Sequence, residues 1–292
     1  MHGSMDSVAR GTRVIRLGPK FRWPGKRRVA VVFNVAYEAW SDGKAPGIGP
    51  MGNPLPPDTF DTNALSWGSY GSERGIERLL GVLERTKTRA SVMVSGVLAE
   101  RFPAIVRSIA EAGHEIVAHS YAQELVPGKL TPEDDRANIA KTTQLLASIT
   151  KKKPRGWISP RGTPSPDTLR LLVEAGYDWQ GDVFDDDRPY VQIVGDRRIV
   201  AIPLTMEIND LPHAVRFGRP PRAFIELFED FLASSRKQEQ AVMIDVTAHT
   251  HVYGRPSGAW AYEEIAKKVK KYKDVWVATR SEIADHVRKT VG

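Results

Sequence analysis

The sequence predicts an α/β fold, a distorted (β/α) barrel of about seven parallel strands. Two observations carry this: short β-branched runs alternate with helix-spaced segments, and chemically reactive residues follow one strand after another. Repeated β-α alternation calls for parallel strands joined by crossover helices. There is no Gly-x-Gly-x-x-Gly after the first strand and no Walker sequence, which argues against an open nucleotide-binding sheet. Asn34/Glu38, His119, Arg161, Asp182–Asp187, Thr205/Glu207 and His249 all come at strand ends. A barrel gathers such positions on one face, whereas an open sheet spreads them along a line.

In chain order, Val29–Phe33 is a β-branched run that leads into Asn34-Val35-Ala36-Tyr37-Glu38. Tyr70–Glu84 has apolar residues at helical spacing, and Ala90–Val94 is again strand-like. Phe102–Ala112 is helical and stops at Gly113, a common C-terminal residue. Glu115–His119 is a strand with a polar end. Thr131-Pro132-Glu133-Asp134 combines a cap residue, Pro at the first helical position and acids in the first turn, so a helix follows to about Thr150.

Arg155–Ser159 is a strand and Ser165–Ala175 a helix stopped by Gly176. Trp179–Phe184 and Ile199–Pro203 are strand-like, Pro221–Ser234 an amphipathic helix, and Gln240–Val246 a strand. Trp260–Lys271, Val275–Ala278 and Ser281–Arg288 close the chain as helix, strand and helix. Residues 39–70 are rich in Gly and Pro, carry Trp40 and Trp67, and show little periodicity. A loop this long inside a compact domain usually serves function, here as an ordered lid or pocket wall.

The 292 residues are 41% hydrophobic, enough for one large domain with a sizeable core. Residues 1–24 read as a tag remnant and extension, Met1-His2-Gly3-Ser4 preceding Met5, and 25–292 as a single domain. No run approaches a membrane span and no signal pattern opens the chain. The absence of Cys excludes disulfides, thiolate metal sites and a Cys nucleophile, in keeping with a cytoplasmic location. The formal charge is +7, but the basic residues are scattered. Lys151-Lys152-Lys153 and Lys267-Lys268 with Lys270-Lys271 read as solvated surface rather than a nucleic-acid site.

His119 at a strand end suits a metal ligand or an acid/base. The residue four further on is Gln123, so the His pair of a strong zinc signal is missing. In an extended chain His249 and His251 point the same way; His249 is the expected reactive one and His251 a supporting or structural residue. Arg161, on the rigid loop Ser159–Pro164, suits a carboxylate or a catalytic acid. Of the acidic cluster Asp182 and Asp185-Asp186-Asp187, one carboxylate is expected to face the site and the others to be solvated or to pair with Arg188.

Together these residues resemble the polysaccharide deacetylase family, carbohydrate esterase family 4, and within it the cytoplasmic branch of allantoinases and cyclic-imide hydrolases. The similarity runs over Asn34–Glu38, Tyr70-Gly71-Ser72, Gly113–His119, Gly156-Trp157 with Arg161, Asp182–Tyr190, and His249 before Gly254-Arg255-Pro256. It implies a distorted (β/α)-barrel hydrolase of amide-type C–N bonds acting on a small molecule, often as a homo-oligomer, with no nucleic-acid or membrane partner. It also implies a metal site, from which this chain departs. Asn34 with Val35 or Ala36 stands where the family has Asp residues, and Gln123 where it has a second His.

The cofactor expected is therefore none or a single divalent metal, zinc, with His119 as ligand. The expected catalytic residues are Glu38, His249, His119 and Arg161. Asn34, Trp40, Trp67, Tyr70, Asp185 and Glu207 are expected to contact substrate. A metal-dependent deacetylase of N-acetylated sugars and a non-catalytic binding protein on the same scaffold are the rival readings.

Overall fold

A computed structural model describes residues 12–45 and 60–291. The strands are β1 (Arg13–Arg16), β2 (Val29–Tyr37), β3 (Ser91–Val94), β4 (Glu115–Ala118) and β5 (Gly156–Trp157). They continue as β6 (Trp179–Gln180), β7 (Tyr190–Val194), β8 (Arg197–Ala201), β9 (Val242–His249) and β10 (Val275–Ala278). Around them lie α1 (Thr62–Tyr70), α2 (Ile76–Arg85), α3 (Gly96–Arg101), α4 (Pro103–Glu111) and α5 (Pro132–Thr150). The chain ends with α6 (Thr168–Glu174), α7 (Pro221–Lys237), α8 (Pro256–Val269) and α9 (Arg280–Val291).

The sheet runs β9-β2-β3-β4-β5-β6-β8-β7-β1, with β10 beside the first half of β2. From β9 to β8 neighbouring strands are parallel, as the β-α alternation predicts. The outer two pairs, β7 with β8 and β1 with β7, are antiparallel. The ladder does not close between β8 and β9. Instead the irregular chain after β8 lies along the free edge of β9. Thr247 N–H donates to the Ile208 carbonyl at 3.0 Å, and Asn209 and Thr247 form a parallel bridge. The fold is thus the expected parallel α/β barrel type, closed by loop rather than by strand.

Period-2 alternation sorts the strand residues into two layers. Val31, Phe33, Val35, Tyr37, Ile244, Val246 and Ala248 face the helices and join one core cluster. Ala30, Val32, Ala36, Met243, Val117 and Trp179 fill the inside in a second. Polar residues Asn34, Asp245, Thr247 and His249 share that inner face by the same alternation, and all are buried.

Several boundaries differ from the sequence reading. β2 continues to Tyr37, so Asn34–Tyr37 are strand rather than the polar end of one, because both neighbours bond them. Helix α1 occupies part of the 39–70 segment, while residues 46–59 of that segment, like 1–11, lie outside the described residues. Tyr190–Val194 was not expected as a strand; it pairs with β8 across Gly195 at φ +62°. Within the presumed extension, Leu17, Phe21 and Trp23 are buried and β1 pairs with β7.

The inner end of the barrel is held at the N-terminus of α9. Glu115 accepts hydrogen bonds from Ser91 Oγ at 2.7 Å and from the Ser281 N–H at 3.1 Å, and also bonds Ser281 Oγ. A carboxylate there satisfies orphan helix N–H groups and favours the helix dipole. Glu115→Ala is expected to lower unfolding free energy by about 1–3 kcal/mol, the range for leaving half-buried donors unpaired, read from urea denaturation.

Candidate active site

At the C-terminal ends of β2, β4 and β9 the alternation brings Glu38, His119, His249 and His251 together. Ala36 pairs in register with His249, so Glu38 and His251 stand one step further along the same face. Glu38 is 6% exposed, His119 4%, His249 7% and His251 0%. Glu38 Oε2 lies 3.1 Å from His119 Nε2. Its other oxygen, Oε1, is 3.7 Å from His251 Nε2 and 3.9 Å from His249 Nε2. One buried carboxylate is therefore surrounded by three imidazoles.

Hydrogen bonds set the orientation of two of these rings. His119 Nδ1–H donates to the Ile158 carbonyl at 2.6 Å, and its Nε2 faces the Glu38 carboxylate. His249 Nδ1–H donates to Asp210 Oδ1 at 2.6 Å. Asp210 Oδ2 takes the His249 and Tyr253 backbone N–H groups at 2.8 and 3.0 Å. His251 is packed edge-on against Trp67 and Trp40, with ring centroids 4.4 and 5.5 Å away. Neither of its ring nitrogens has a hydrogen-bond partner among the described residues.

The electrostatics follow from this packing. Burial alone would raise the Glu38 carboxyl, but the attraction of His249, the hydrogen bond from His119 and the charge interaction with His251 outweigh it and hold the group down at about 2. Burial alone would lower His249; Asp210 and Glu38 overcome it and push the imidazole up to about 9. His251, buried and beside cationic His249 and Arg255, is pushed down to about 4 despite Glu38, so it is neutral at pH 7. Asp182 accepts bonds from Ser159 N–H and Oγ at 2.7 and 2.6 Å, yet burial pushes its carboxyl up to about 6.

The loop carrying these histidines is tightly clamped. Between α1 and α2, Gly71–Gly75 form a wide π turn against residues 250–254. A Cβ on Gly75 would lie 1.8 Å from the Thr250 carbonyl oxygen, and one on Gly254 1.9 Å from the same atom. Such turns in helices are often found at functional sites. Arg78 secures the same loop by donating to the Gly254 carbonyl and to the Tyr70 hydroxyl.

The other residues expected at the site are placed variously. Trp40 and Trp67 wall His251, as just described. Tyr70 stands one step away, with the Arg255 guanidinium 4.0 Å above its ring. Asn34 lies deeper in the barrel, donating to Asp245 Oδ1 and Thr247 Oγ1 at 3.0 and 3.1 Å. Arg161 is exposed at φ +58° on the turn after β5, with no side-chain partner among the described residues. Asp185 sits at the sheet edge, accepting from the Tyr190 hydroxyl at 2.9 Å and facing Arg16, which also pairs with Asp186. Glu207 is exposed on the chain beside β9. Of the acidic cluster, Asp182 is the one bonded to the chain after β5, through Ser159.

Sequence reading passed over Asp210, Asp245 and Arg280. Asp245 had a signal, an acid inside the apolar run Val242–Val246; an acid there must be paired. Arg280, at the start of α9 among polar residues, had none. Asp210 lies on an irregular segment and had none.

Zinc ligands with bonds of about 2.0–2.1 Å stand about 3.3 Å apart in a tetrahedron. The Glu38–His119 separation meets that spacing, whereas His251 and His249 Nε2 stand 3.7 and 3.9 Å from Glu38, beyond it. Gln123 turns its amide to Ser95 Oγ and the His119 carbonyl. Among the described residues no three His, Cys, Asp or Glu side chains form a metal-holding group. Among the described residues the donors present do not complete a zinc site.

Residues 59–179 match the family model described as Polysaccharide deacetylase. A peptidoglycan deacetylase of Helicobacter pylori is 27% identical over 87% of this chain and 96% of its own. The solved Puue allantoinase superposes with a TM-score of 0.83 at 25% identity, covering 94% of this chain and 95% of that one. A CE4 family pseudoenzyme from Bacillus anthracis, 14% identical with a TM-score of 0.54 over 90% of this chain and 67% of its own, shares the fold alone.

Two expected outcomes follow from the site's geometry. A folded-state value above the unfolded one means stability is fully present below about pH 6.5 and is lost as pH rises through about 9. Denaturation midpoints should therefore fall across that window, and Asp210→Asn should flatten the fall. Gly75→Ala should destabilise by about 1–3 kcal/mol through overpacking against Thr250, measured by urea denaturation.

Proposed function

We propose, for a chain related to the polysaccharide deacetylases and a hydrolase of non-peptide C–N bonds, that its substrate is a small cyclic imide or ureide. The observation that carries this reading is the enclosed cluster of one carboxylate and three imidazoles walled by tryptophans. Glu38, His119, His249 and His251 are nearly closed to solvent, which suits a small planar amide better than a polymer needing an open groove. The likeness to an allantoinase supports the same class.

In this mechanism Glu38 Oε1, which has no imidazole within hydrogen-bond distance, orients the attacking water and takes its proton as the O–C bond forms. His119 holds Oε2 and so fixes the carboxylate. His249, cationic through Asp210 and Glu38, gives its Nε2 proton to the departing nitrogen as the C–N bond breaks. Glu38 then returns the proton to His249 across the 3.9 Å gap. Trp40 and Trp67 exclude bulk water. Arg161, exposed on the turn after β5, holds the substrate from the rim. No step passes through a metal.

The similarity to a peptidoglycan deacetylase supports a second reading, removal of acetyl groups from N-acetylated sugars with a metal. A panel of succinimide, hydantoin, dihydrouracil and N-acetylglucosamine oligomers separates the two, combined with elemental analysis of protein purified without added metal. Turnover of the cyclic compounds insensitive to chelator is expected. Zinc near one per chain, with chelator-sensitive release of acetate, would select the deacetylase. Glu38→Gln and His249→Asn should each lower kcat on the true substrate by about 10²–10⁴-fold.

A further inference from the structure

The catalytic description leaves one fully buried charge pair unused. Arg280 and Asp245 are both 0% exposed and directly paired inside the barrel, below Glu38 and His249. The Arg280 side chain touches three separate stretches of chain. Its Nε donates to Asn34 Oδ1 on β2 at 3.2 Å, and Nη2 bonds Asp245 on β9. Nη1 and Nη2 also donate to the carbonyls of Ile202 and Pro203 at 3.0 and 3.4 Å. Its own backbone N–H is held by Ser91 Oγ on β3 at 2.9 Å.

β2 and β9 need no such tie, because their ladder runs unbroken from Val29 with Val242 to Ala36 with His249. The link to Ile202 and Pro203 is different. These residues directly follow β8, where no ladder joins the sheet to β9, and they begin the irregular chain that delivers Asp210. Asp245 contributes to the same junction, since its backbone N–H donates to Thr205 Oγ1 at 3.0 Å. Asp210 in turn fixes the ring and backbone of His249.

We infer that Arg280, locked by Asp245 and Asn34, is a positioning residue that places the 202–210 segment so that Asp210 can orient His249. On this view the guanidinium takes the place of a missing strand-to-strand ladder. A hydrophobic pair of similar volume can often replace a buried ion pair without loss of stability, but it would not bond the two carbonyls. The inference rests on His249 as the acid of the proposed reaction, and its test includes a readout that needs no substrate.

The experiment uses the full chain with Arg280→Lys, and separately with Asp245→Asn/Arg280→Met, which removes both charges. Thermal melts establish folding, and ¹⁵N NMR follows the His249 imidazole through a pH titration. In both variants the His249 midpoint should fall by about one pH unit or more as Asp210 moves. On whichever amide the parent protein hydrolyses, kcat should drop about tenfold or more with KM little changed, as for a small misplacement of catalytic groups. An unchanged His249 midpoint in a folded variant overturns the inference, whatever the melting temperature does. Should the parent protein turn over none of the amides, the reading of its function falls, while the NMR midpoint still decides the role of Arg280.

Discussion

The buried contact of Arg280 with Asp245 is the constraint around which the rest of the barrel is arranged. An unpaired charge at that depth would cost several kcal/mol, so each group requires the other, and Asn34 completes the set with one amide that donates to Asp245 and accepts from Arg280. The backbone carbonyls of Ile202 and Pro203 use further guanidinium donors. A strand ladder would have closed this side of the sheet in a regular way. Here side chains join the backbone contacts of Ile208 and Asn209 with Thr247 in making the closure, and the irregular chain after β8 carries Asp210 to His249.

Above that plug, strand alternation does most of the remaining construction. Asn34 and Glu38 share one face of the β2 chain, and Asp245 and His249 share the matching face of β9. Val35 and Tyr37, like Val246 and Ala248, alternate with them and pack outward against helices. The same pleat therefore supplies a charged layer that holds the barrel and, four residues further on, the layer of the candidate site. Glycines at 71, 75 and 254 allow the π turn and the histidine loop to approach within distances that no side chain would permit, which keeps His251 against the tryptophans.

On the inner face of β2 Asn34 and Ala36 are neutral, and Gln123 turns its amide to Ser95 Oγ and the His119 carbonyl. The carboxylate of this site is stabilised by imidazoles. Glu38 is the carboxylate left at this point of the fold, and the structure surrounds it with His119, His249 and His251. The consequence is a strongly cationic His249 beside a neutral His251, although the two are separated by a single residue. Their difference comes from Asp210, which bonds one ring and not the other.

The β-α order and the strand-end positions of Glu38, His119 and His249 were legible in the sequence, because periodicity and strand ends are local properties of the chain. The helix caps at Thr131 and the stops at Gly113 and Gly176 were legible for the same reason. Asp210, the buried position of Asn34, and the edge positions of Asp185 and Glu207 were not. Which carboxylate meets which imidazole depends on contacts between residues far apart in the chain, 39 positions for Asp210 with His249 and 35 for Asp245 with Arg280. The chain by itself determined which groups were available to catalysis. Only the tertiary structure decided their partners, since pairing is set by how the barrel closes, and that closure runs through an irregular segment with no pattern to read.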